Sequence, residues 1–183
     1  MRLTSLFCSL FLAWGASEVH ADRITVDKNG PVSKITQALQ LVSDGDTILV
    51  KSGIYREGNI LIRKPISIIG QDYPVLDGEN KFEIITVSAS QVTVMGFKFI
   101  NTGVASMEDI AGIRVNSAKG VRILNNRFEN SFFGIYFSNS TDSWVEDNVL
   151  EGYSKAEHQI GNGIHMWKCK NMMVTRNRIK GHR

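Results

Sequence analysis

Soft and imidazole donors crowd the last third of the chain: His158, His165, Met166, Cys169, Met172, Met173 and His182. Thioether and thiolate sulfur suit a monovalent copper ion, and imidazole suits copper generally. His165, His158, Met166 and Cys169 are the metal-ligand candidates, with the two histidines ahead. Met166 and Met172 stand where Val115 and Val121 stand in an equivalent stretch upstream, so core packing accounts for them more simply. A second chemistry needs carboxylates or bases converging on one surface, as in polysaccharide lyases, epimerases and hydrolases. Asp142, Glu146 and Asp147 are the nearest such group. Lys119 is the one basic residue matched to them in a neighbouring unit, and the three fit a solvated turn better. A third chemistry is stacking: Tyr136, Trp144 and Trp167 would serve as platforms for sugar rings or as anchors for a protein.

These residues are positioned by a repeat. Gly112-Ile113-Arg114-Val115 runs on to Asn125-Asn126-Arg127-Phe128. Gly134-Ile135-Tyr136-Phe137 runs on to Asp147-Asn148-Val149-Leu150, and Gly163-Ile164-His165-Met166 to Arg176-Asn177-Arg178-Ile179. The offset from isoleucine to asparagine is constant, in Ile113 to Asn126, Ile135 to Asn148 and Ile164 to Asn177. The step from one isoleucine to the next is not, being longer from Ile135 to Ile164 than from Ile113 to Ile135. Each unit has apolar alternation of period two, which reads as short strands with one buried face. Units that bury their apolar face only against neighbours make a solenoid. The reading is an all-β chain: a right-handed parallel β-helix of three strands per coil, with an N-terminal capping helix.

Within a coil, Ala118, Ser140 and Cys169 mark a corner with room for small side chains. Asn126, Asn148 and Asn177 are expected to stack at another corner and to bond the coils above and below. Gly112, Gly134 and Gly163 fit a bend that needs positive φ or close backbone approach. Insertions around Met107-Glu108-Asp109 and Ser154 to Gln159 are expected to project from one face. Alternation turns Ile164 and Met166 inward and His165 and Trp167 outward. The outward rows are then Arg114-Tyr136-His165, Asn116-Ser138-Trp167 and Arg122-Trp144-Met173. Their exposed aromatics predict a partner-binding surface of Tyr136, Trp144, His165, Trp167 and Met173.

Residues 1–21 look like a secretory signal, with Arg2, an apolar run from Leu6 to Trp14, and Val19-His20-Ala21 before a polar stretch. Residues 22–60 form the N-terminal cap and first coil, and residues 61–183 the β-helix repeats. In the cap, Ile35, Ala38, Leu39 and Val42 have helical spacing, with Ser33 as N-cap. Cleavage removes Cys8 and leaves Cys169 without an internal disulfide partner. A net charge of +3 makes no strong case for nucleic acid or a membrane surface.

The run Asp44-Gly45-Asp46-Thr47-Ile48-Leu49-Val50 with Gly53-Ile54-Tyr55-Arg56-Glu57 resembles the opening of many pectin-lyase-like right-handed β-helices. Gly161-Asn162-Gly163-Ile164-His165-Met166-Trp167, continued by Asn177-Arg178-Ile179-Lys180-Gly181-His182-Arg183, is similar to the NosD family. These are periplasmic proteins required to mature the copper site of nitrous oxide reductase. The resemblance implies a periplasmic, non-enzymatic protein that handles copper transiently. Its implied partners are nitrous oxide reductase, the ATPase and permease of an ABC transporter, and a copper chaperone. Family members are longer, so the β-helix is expected to be truncated and uncapped at its C-terminal end. The alternative is a polysaccharide-active or carbohydrate-binding β-helix.

Overall fold

The computed structural model describes residues 21–105, 109–152 and 161–183. Over these residues the chain winds through about 6 turns of a right-handed parallel β-helix with one short helix. Three parallel sheets form its walls. Sheet A holds β1 (Arg23–Val26), β2 (Thr47–Val50), β5 (Ser67–Gly70), β8 (Thr93–Met95), β11 (Arg122–Leu124), β14 (Trp144–Glu146) and β17 (Met173–Thr175). Sheet B holds β3 (Ile54–Tyr55), β6 (Val75–Asp77), β9 (Lys98–Ile100), β12 (Arg127–Glu129), β15 (Val149–Glu151) and β18 (Arg178–Lys180). Sheet C holds β4 (Ile60–Ile62), β7 (Ile85–Val87), β10 (Ala111–Asn116), β13 (Phe133–Ser138) and β16 (Ile164–Trp167).

Register follows the repeat: Ile113 pairs with Ile135, and Ile135 with Ile164. Like therefore stacks on like inside the coil. Val94, Ile123 and Val145 are fully buried in one column, and Phe99 stacks on Phe128 with ring centroids 4.7 Å apart. These inward columns continue to Val174 and Ile179 of the last coil, which are 45% and 47% exposed.

In the last three coils the corner from sheet A to sheet B is a tight turn, at 125–126, 147–148 and 176–177. Its first residue takes positive φ, at 49° in Asn125, 56° in Asp147 and 54° in Arg176. The second is the expected asparagine, turned inward. Asn126 Nδ2 donates to Asn148 Oδ1 at 3.1 Å, and Asn148 Nδ2 to Asn177 Oδ1 at 2.9 Å. The side chains also serve the backbone, as in Asn126 N to Asn148 Oδ1 at 2.9 Å and Asn148 Nδ2 to the Ile123 carbonyl at 2.9 Å. Buried peptide groups at a bend thus keep their partners.

Of the two reasons for glycine at the bend, close approach holds and positive φ does not, and the N-cap of the capping helix changes. Gly112, Gly134 and Gly163 are not among the positive-φ glycines. They are glycine because of crowding: a Cβ on Gly134 would lie 2.5 Å from Leu150 Cδ2 and 2.6 Å from the Gly163 carbonyl oxygen. The capping helix α1 spans Ile35–Leu41 and buries Ile35 and Ala38 over the first coil. Its N-cap is Lys34, not Ser33, and makes no side-chain cap bond. The carboxylate of Glu57 takes that role, accepting from Ile35 N at 2.8 Å and Thr36 N at 2.9 Å.

Candidate functional site

Length variation concentrates at the corner leading from sheet B into sheet C. Its connections ahead of β7, β10, β13 and β16 are 78–84, 101–110, 130–132 and 152–163, no two alike in length. By contrast, the connections from β10 to β11, β13 to β14 and β16 to β17 are 117–121, 139–143 and 168–172, all equal. Both insertions read from the sequence fall in this variable corner by their chain position; residues 106–108 and 153–160 of them lie outside the described residues, and the described ends of these connections adjoin sheet C. Loops on a fixed scaffold are where binding surfaces are built.

On that face Leu61, Thr86, Arg114, Tyr136 and His165 stand in register. A chain of polar and ring contacts links the last four. Thr86 Oγ1 donates to Asn59 Oδ1 at 3.1 Å and also bonds Glu83. Arg114 Nε donates to Glu83 Oε2 at 2.6 Å, and its guanidinium also reaches the Asp109 carbonyl. The Arg114 guanidinium lies 4.6 Å from the Tyr136 ring centroid. Tyr136 in turn stacks on His165, centroids 4.8 Å apart and planes 23° from parallel. Phe133 meets both rings edge-on, at 5.5 and 5.6 Å. Asn162 Nδ2 lies 3.0 Å from His165 Nδ1 and fixes the ring's orientation. Burial, and then the Asp109 carboxylate, push the Tyr136 phenol above its ordinary range, so it stays neutral.

The predicted contact surface divides. Tyr136 faces outward but is only 9% exposed, because Ala111, Phe133 and Phe132 form a second small apolar cluster around it. Trp167 is 55% exposed at the end of β16. Trp144 and Met173 lie on a different wall, the outer face of sheet A.

The metal candidates divide too. His165 is outward, whereas Met166 and Cys169 pack with Met172 against the end of the solenoid core. Cys169 repeats the corner role of Ser140: its Sγ bonds the Trp167 carbonyl at 3.4 Å, as Ser140 Oγ bonds that of Ser138 at 2.9 Å. Among the described residues no three of His, Cys, Asp and Glu converge as a metal site. His158 lies outside the described residues, as do residues 1–20 of the signal sequence. His182 Nδ1 sits 3.4 Å from the Gly161 carbonyl, and its Nε2 is buried with no partner among the described residues.

The carboxylates of the lyase reading are tied into turns. Arg176 grips Asp147 at 2.8 and 2.9 Å and also pairs with Glu146. Asn171 donates to Asp142 at 3.0 Å, with Lys119 at 3.5 Å. Arg176 is thus a second matched base beside Lys119, at the same corner position as Asp147 one coil on. These bonds hold Asp147 and Asp142 below the ordinary carboxylate range, the reverse of what a general acid needs.

A family model described as NosD, periplasmic copper-binding protein, matches residues 39–183. The probable ABC transporter binding protein NosD of Pseudomonas aeruginosa is 30% identical over 143 residues, 77% of this chain and 33% of that relative. The chain thus spans about a third of the length of the curated relative it matches. Among solved structures, a pectin methylesterase in complex with hexasaccharide VII superposes with a TM-score of 0.58. Identity there is 15%, over 84% of this chain and 54% of that one. A pectin methylesterase mutant with hexasaccharide IV gives 0.54 at 16% identity, over 86% of this chain and 56% of that one. At that identity the likeness is one of fold.

Proposed function

The chain belongs to the NosD family of periplasmic copper-binding proteins, and from that premise we propose that it is an exported, non-enzymatic carrier that handles copper as cargo during assembly of the copper site of nitrous oxide reductase. It works with an ABC-type transporter, and a copper chaperone is the natural donor. The placement of His165 carries the reading to the residue level. It is an imidazole on the outer face bordered by the variable loops, held by Tyr136 and Asn162. In the arrangement shown, Asn162 Nδ2 faces Nδ1; a flip of that amide to present Oδ1 would leave the proton on Nδ1 and free Nε2 for a soft ion. His158, in the longest of those loops, is the proposed second donor. Met166 and Cys169 are on the inner side of the same coil and are proposed only as an alternative sulfur site. Trp167, exposed beside His165, is the proposed anchor for the protein that gives or takes the ion.

The test is a Cu(I) titration against a chromophoric chelator. His165→Ala should weaken binding at least about tenfold, with Cys169→Ser close to the parent. The double variant His165→Ala, Trp167→Ala should fold normally, yet lower the copper content of the reductase. Unchanged Cu(I) affinity in His165→Ala would remove this site. Turnover of a polyuronate by the purified protein would overturn the non-enzymatic reading.

A further inference from the structure

Sheet A carries an outward apolar stripe that a water-facing wall does not need. Leu49, Ile69, Met95 and Leu124 stack rung on rung, pointing away from the core residues Ile48, Ile68, Val94 and Ile123. At the next rung the stripe shifts by two positions to Trp144 and then Met173, which are 37% and 51% exposed. Six strands are crossed in five steps of about 4.8 Å, so the stripe is about 24 Å long and about one side chain wide. Faces of all-parallel sheets are normally covered, most often by helices. The corners flanking this part of sheet A are the short ones, so among the described residues no long loop shields it.

We infer that the outer face of sheet A is a docking surface for an amphipathic helix of another protein, about sixteen residues long and acidic along one flank. At about 1.5 Å per residue, about sixteen residues match the stripe, and anchors at every third or fourth position would meet successive rungs. Charge sets the acidic flank. Arg122 borders the stripe and is exposed, and among the described residues it makes a ring contact with Trp144 but no ion pair. Exposed Lys168 and Lys170 lie at the corner on that same side. The acids of the opposite border, Glu146 and Asp147, are already paired with Arg176. The excess positive charge is therefore on one side of the stripe, and it favours a partner with glutamates there. This inference is independent of the copper reading.

The probe is a labelled helical peptide of that length with Leu and Met on one face and Glu along one flank, followed by fluorescence anisotropy with the full chain. It should bind, and the same peptide with Lys in place of Glu should bind several-fold more weakly, the difference closing at high salt. Met95→Glu with Leu124→Glu should weaken binding at least about tenfold without lowering the thermal midpoint. Should that pair disturb folding, Leu124→Gln alone should still weaken it measurably. Absence of binding, or equal binding by the folded glutamate variant, overturns the inference. So does a dimer of the parent chain that the same glutamates dissociate, because a second copy would then be the occupant.

Discussion

Two residues act far from where their sequence neighbours would place them. Glu57 caps α1 from 22 positions away, accepting from Ile35 N and from both the amide and hydroxyl of Thr36. Glu57→Ala should lower the unfolding free energy by about 1–2 kcal/mol, read by urea denaturation. Nothing at Ser33 could have revealed this, because the pairing exists only once the first coil has closed. His182 is the second case. Burial depresses its pKa below the ordinary imidazole value, against a weaker pull from the Gly161 carbonyl. Between that ordinary value and the lower folded one, the unfolded form binds more protons than the folded form. Stability is therefore lost as pH falls through this window. Above it the ring is neutral in both states and adds no pH dependence. The last coil should show faster amide exchange on acidification, and His182→Gln should flatten that dependence.

The element that holds the corners is the asparagine ladder, and it was legible because its offset is invariant while the coil length is not. Asn148 is fully buried and bonded both above and below. Asn148→Ala should destabilise by about 2–4 kcal/mol, since it orphans several buried groups at once. Gly134→Ala should cost about 1–3 kcal/mol by overpacking against Leu150 and the next strand; both are read by denaturant midpoints. Strand alternation also assigned the correct inward and outward sides to His165 and Met166. It could not give burial, which depends on what covers a face: Tyr136 points outward and is still shielded by Phe133. Contacts between coils were the harder part. Arg114 and Glu83 are 31 positions apart, and Glu83 carries no signal in the repeat. Asp147 and Arg176 are 29 positions apart, matching the step from Ile135 to Ile164, so that pair was legible in principle.

At the scale of the molecule, stability is close to a sum of coils and the interfaces between them. In this chain hydrogen exchange should be slowest in the coils of β7 to β15, whose inward columns are fully buried, and fastest in β16 to β18, where Val174 and Ile179 remain exposed. The concentration of length variation at one corner also has an evolutionary reading. A residue added at the two-residue asparagine turn of the last three coils would slip the strand that follows against its neighbour and turn its inward side chains outward. The corner ahead of sheet C already accommodates connections as short as 130–132 and as long as 152–163 without disturbing the ladder. Indels should therefore survive there more often than at the asparagine turns, and elsewhere mainly where they add or remove a whole coil. The lineage can revise what the molecule touches while the cylinder beneath is inherited unchanged, and a saturation insertion library scored for soluble expression would trace that most permissive seam.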